Sequence, residues 1–316
     1  MKMNRSLAVA IVCLLAAGPA AAQERVTSVA DLHFYSSFWM NLHHRLHADA
    51  RDKKNRVDVS RWSAEDRAAW NSALEVYARE LAQHDLRTGK DMTIISGRLS
   101  GAGNSLASLG LGDDHRRALE GVAPVYRARL WPEDDKRNRA WIEDMTRRLQ
   151  RISARVLPQL EAFYRTPWYS ATRTARVDIV YVGDARGGYT WVYPDVHTVI
   201  DAADATYQGW LGVEMTLHEA SHGLTDSLIA GLENAGRAAK KDAGVLGHPV
   251  QFFVVGEIMK RTLAADGVTF TSYLYETGLF DRAWAQYKRA IETYIGAWLD
   301  KRLDWNEAIV RLVAAI

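Results

Sequence analysis

The sequence predicts an α+β fold, mostly helical, with a small sheet placed just before a metal-binding helix. Three observations carry this. Apolar and aromatic residues recur at helical spacing from Val29 to about residue 165. Short β-rich runs replace that period between about 176 and 200, and helical patterning returns from Tyr207 onward.

Taken in order, Val29 to Ala50 carries Leu32, Tyr35, Phe38, Trp39, Leu42 and Leu46 at spacings that fit one helix. Ser63 is a good N-cap for a helix through Trp70, Leu74, Tyr77 and Leu81, with Glu65 and Asp66 in its first turn. The glycine-rich stretch 101–112 reads as a connector. Asp113-Asp114 opens a helix running to Trp131, where Pro132 is expected to end it, and Glu133 to Tyr164 continues helical with a bend at Pro158. Arg176 to Val182, Tyr189 to Tyr193 and His197 to Ile200 read as three strands separated by Gly183-Asp184 and Pro194-Asp195 turns. A helix from Tyr207 to Leu232 follows, then another from Pro249 to about Ala265. Helices over Phe280–Leu299 and after Asp304, where Glu307 completes a capping box, close the chain. A helical region, 23–170, and a metal-site region, 171–316, are expected to form one compact unit.

Residues 1–22 have the form of a cleaved signal peptide. Lys2 and Arg5 precede the apolar run Leu7–Ala17, and Ala20-Ala21-Ala22 offers a small-residue cleavage site. The run is shorter than the roughly 20 residues a membrane helix needs. The reading implies a periplasmic or secreted protein with no stable membrane insertion after cleavage. The one cysteine, Cys13, lies inside this segment, so the mature chain has no thiol chemistry, disulfide or Cys-ligated metal. Without Lys2 and Arg5, 38 basic residues balance 38 acidic ones. Such neutrality gives no drive toward nucleic acid, and a peptide or small-molecule substrate is the expected partner.

Chemistry concentrates in His218-Glu219-Ala220-Ser221-His222. Residues four apart share a helix face, so His218 and His222 can aim at one metal ion. Glu219 lies about 100° round the helix from His218, beside the ion, where a carboxylate can take a proton from activated water. Zinc suits this donor set and lowers the pKa of its water to roughly 7.

The segment Met215–Leu224 resembles the active-site helix of the zincin metallopeptidases, which implies a zincin-like fold and zinc-dependent peptide hydrolysis. In the metzincin branch the third ligand is a histidine six residues after the second, but Leu228 occupies that position here. The gluzincin branch uses a glutamate on a later helix, and Glu257 fits best, with His248, Glu233 and Asp226 as rivals. Gly256, Lys260 and Arg261 depart from the usual gluzincin surroundings, and an ion pair of Glu257 with Arg261 is the competing role. The resemblance also implies an oxyanion donor, for which Tyr275, Tyr273 and His248 are available, and a cleft-edge strand, for which Tyr189–Tyr193 is available. Hydrolysis of a non-peptide bond and non-catalytic metal binding remain open. His43, His44 and His47 on the first helix read as hydrogen-bonded packing residues, with a second metal site as the alternative.

Overall fold

The computed structural model describes residues 25–316 except 53, 55, 88, 104, 184–186 and 193. The leader 1–22 with Cys13, and Tyr193 of the second expected strand, therefore lie outside the described residues. The chain runs β1 (Thr27–Val29), β2 (Leu32–Ser36), α1 (Phe38–Arg51), α2 (Ala64–Glu80), α3 (Lys90–Ser100), α4 (Asp113–Arg129) and α5 (Trp131–Tyr164). Next come β3 (Ala175–Val180), β4 (Gly188–Trp191), β5 (His197–Asp201), α6 (Gly209–Ser221), α7 (Asp226–Ala239) and α8 (Gly247–Ala264). Helices α9 (Tyr273–Glu276), α10 (Leu279–Ala283), α11 (Ala285–Leu299) and α12 (Trp305–Ala314) complete it. The fold is α+β, mostly helical around one small sheet. No helix among the described residues is long and apolar enough to cross a membrane.

The sheet has five strands in the order β1-β2-β3-β5-β4. β2, β3 and β5 are parallel, whereas β1 and β4 run antiparallel at the two edges. Leu32 and Tyr35 belong to β2, not to a first helix. Leu32 and Phe34 are fully buried while His33 and Tyr35 are only partly so, which is strand alternation. A window holding both this strand and the start of α1 mixes the two periods and reads as a single helix.

The two faces of the sheet bury different cores. Val177, Ile179 and Ile200 point into a large core shared with α5, α6 and α8. Val180, Val199 and Tyr189 point into a second core built with α1 to α4. The chain before residue 170 thus supplies two strands and α5 to the layer beneath α6. Pro132 opens α5 and does not close α4, because its missing N–H costs nothing in a first helical turn. Ser63 caps α2 by accepting from Asp66 N at 3.0 Å, and Asp304 caps α12 from Glu307 N at 2.8 Å.

Candidate metal centre

The expected helix 207–232 is interrupted at His222. α6 ends at Ser221, and His222–Leu224 forms a single 3₁₀ turn before α7. Side chains take up the carbonyls that end the helix. Gln251 Nε2 donates to His218 O at 3.0 Å, Tyr169 Oη to Ala220 O at 2.6 Å, and Ser221 Oγ to His218 O at 2.8 Å. A helix end needs such partners for its last carbonyls, and here they come from α8 and the segment after α5. Gly223 has no room for a side chain, since a Cβ there would overlap Val196 and lie 2.5 Å from Tyr169 Oη.

Three imidazoles converge. The ring centroids of His218, His222 and His248 form a triangle with sides of 5.0, 5.2 and 5.3 Å. One ring nitrogen from each lies within 4.8 Å of the others. Among the described residues this is the one group of three or more ligand-type side chains whose donor atoms meet. His218 Nε2 and His248 Nε2 are 3.2 Å apart. Zn–N bonds of roughly 2.05 Å at tetrahedral angles would space two nitrogens by about 3.3 Å, so the pair fits a shared ion. His218 is fully buried, His222 is partly open and His248 is exposed, which leaves solvent access on one side.

Burial also fixes the protonation of the triad. Desolvation, reinforced by neighbouring imidazoles, holds the His218 ring well below the usual histidine range. Desolvation, with His248 beside it, brings His222 to about 4, and desolvation of the inner part of its ring environment brings His248 there too, although the residue keeps an exposed face. All three are neutral donors near pH 7, the form a metal requires. His218 packs face-on against Phe252 at 3.7 Å, and its Nδ1 has no hydrogen-bond partner. Ring packing, not an outer hydrogen bond, therefore sets its orientation.

Glu219 lies beside the triad, with Oε2 3.8 Å from His222 Nε2. Its other neighbours come from the edge strand β4. Thr190 Oγ1 is 2.9 Å from Glu219 Oε2 and 3.0 Å from Glu219 O, and its hydroxyl can donate to either. Gly188 lets the strand approach, because a Cβ there would lie 3.1 Å from Glu219 Cγ. Burial pushes the Glu219 carboxyl up to about 7 against the lowering effect of Thr190. A carboxyl poised there can accept or release a proton near neutrality.

The other sequence candidates fall elsewhere. Glu257, the favoured third ligand, sits in α8 with its carboxylate 3.1 Å from Lys260 Nζ and 3.6 Å from Arg261 Nε. His248, in the first turn of the same helix, meets the triad instead. The two residues are nine apart, two and a half helical turns, so they face opposite sides and one helix cannot present both to the same ion. Tyr275, offered as an oxyanion donor, donates its hydroxyl to Glu292 Oε1 at 2.7 Å and is not part of the cluster. Tyr273 stacks on Phe252 at 5.9 Å, one ring removed from His218. Glu233 makes an exposed pair with Arg237, and Asp226 opens α7, exposed to solvent.

The histidines of α1 are buried and hydrogen-bonded. His43 bonds Tyr77 Oη at 2.8 Å, His44 bonds Met40 O at 2.7 Å and Tyr189 Oη at 2.9 Å, and His47 bonds His84 O at 3.0 Å. Sequence reasoning passed over Thr190, Gly188 and the buried Glu214. For His248 a signal existed, since it is the only histidine after His222. No family model matches the chain, and no match was found among curated proteins or solved structures.

Proposed function

We propose that the mature chain is a zinc-dependent hydrolase acting on polypeptides after export, with His218, His222 and His248 as metal donors and Glu219 as the proton-transfer group. One observation carries this reading: three neutral imidazoles, one buried, one partly open and one exposed, meet beside a buried carboxyl. When bound, zinc supplies Lewis acidity to water and to a substrate carbonyl. Glu219 Oε2 takes the proton from attacking water and returns it to the leaving amine, and its raised pKa suits both steps near pH 7. Thr190 holds that carboxyl against β4, which stands at an edge of the sheet, the position from which a strand can align an extended chain.

Elemental analysis of purified variants, run beside a peptide-library digest, tests the assignment. Wild-type protein is expected to hold zinc and to cleave peptides. His248→Ala should lose most of the metal, while Glu257→Gln keeps it. Glu219→Gln should retain zinc and lose activity by about 10²- to 10⁴-fold. Zinc retention by His248→Ala, or failure of the zinc-loaded wild type to cleave any library peptide, would sink the proposal.

A further inference from the structure

A groove of about 810 Å³ lies on the face of the sheet opposite Glu219, between α3, the end of β4 and the segment leading into β3. It borders the turn that carries His222. Gly223, which follows His222 directly, forms part of its wall, as does Trp191 at the end of β4. Its lining is both apolar and cationic. Ile94 and Val192, two of the four large hydrophobic residues exposed among the described residues, border it with Trp191.

Arg98, Arg173 and Arg176 also line the groove, against Asp195 as the one acid. Arg176 is answered from behind by Asp178, with Nε 2.5 Å from Oδ2. Arg98 and Arg173 are different. Arg98 donates to the carbonyl of Gly110, and Arg173 to that of Pro167 at 3.1 Å. Neither makes an ion pair with a described carboxylate, and both are exposed. Two guanidinium groups without an ion-paired carboxylate among the described residues, Arg173 lying over the Tyr169 ring at 5.1 Å, border an apolar strip and complement a chain that alternates acidic and apolar side chains.

We propose that this groove selects polypeptide substrates carrying acidic residues next to apolar ones, and leads them to the histidine centre. The inference rests on the peptidase reading for its destination, but the binding preference can be measured without turnover. The apolar strip favours a polypeptide over nucleic acid as the anionic occupant.

The test uses zinc-loaded mature protein and two labelled peptides, identical except that the glutamates of one are glutamines in the other. Binding is read by fluorescence anisotropy and cleavage separately by chromatography. Wild type is expected to bind the glutamate peptide about tenfold more tightly, the scale of two solvent-facing ion pairs. High salt should erase the difference by screening. Arg98→Gln with Arg173→Gln should bind the two peptides equally while keeping its zinc. Arg98→Glu with Arg173→Glu should turn the preference toward a lysine version, a gain that misfolding cannot mimic. Equal binding of the two peptides by wild type, an undiminished preference in the Arg98→Gln/Arg173→Gln protein, or tighter binding of single-stranded DNA than of the glutamate peptide would overturn the inference. A preserved preference with neither peptide cleaved would support the groove and count against the peptidase reading alone.

Discussion

Glu214 sits one helical turn before His218 and is the most constrained acid on α6. It is 1 % exposed, its Oε2 accepts from Tyr273 N at 2.8 Å, and its Oε1 has no partner. Burial pushes its carboxyl up to about 8. The folded pKa lies above the unfolded one, so the protonated form is favoured by folding. Its contribution to stability is complete below about pH 4.5 and is lost as pH rises through 8. Glu214→Gln keeps the acceptor for Tyr273 N and cannot ionise. Denaturant melts of the two proteins should coincide near pH 4 and separate in the variant's favour through neutrality, by a few kcal/mol above pH 8. A gap that does not change with pH would contradict this account of the residue. Thr190 and Glu219 pose a similar local problem, solved there by a hydroxyl.

At the scale of elements, the centre depends on how closely β4 and the turn after α6 can be approached. Two glycines set those distances. Gly188→Ala would place a Cβ 3.3 Å from Glu219 Oε1, moving the carboxyl while leaving the three imidazoles alone. The expected result is a fall in kcat of up to about 10²-fold with zinc content unchanged, since small displacements of a reacting group cost that much. Gly223→Ala acts on the ligands, because its Cβ would collide with Val196 and Tyr169 behind the His222 turn. Overpacking of this kind costs about 1–3 kcal/mol, and here both zinc content and thermal stability should fall. If the two variants cannot be told apart by metal analysis, β4 does not have the separate role given to it.

Across the whole molecule, the triad joins elements that are distant in sequence. His218 and His222 come from α6 and its terminal turn, and His248 from the start of α8, with α7 between them. An ion bound to all three ties α6 to α8 in the folded state and has no such site in the unfolded chain. Zinc at 100 times its dissociation constant should therefore add about 2.7 kcal/mol to unfolding free energy. Calorimetry of wild type with and without a chelator should show the shift, and His248→Ala should lose most of it. An unaltered shift in that variant would remove His248 from the centre.

The sequence by itself determined the local features: the capped helices at Ser63 and Asp304, the strands near 176 and 197, and the pairing of His218 with His222 beside Glu219. Each follows from neighbours within a few residues, where period, capping and spacing act. Only the tertiary structure decided which later residue joins the two histidines. Glu257 and His248 stand on one helix, and choosing between them depends on how α8 is rotated against α6, a matter of long-range packing. The same kind of long-range packing placed Leu32 and Tyr35 in a strand, because β2 is held between its neighbour β1 and β3, the latter some 140 residues away.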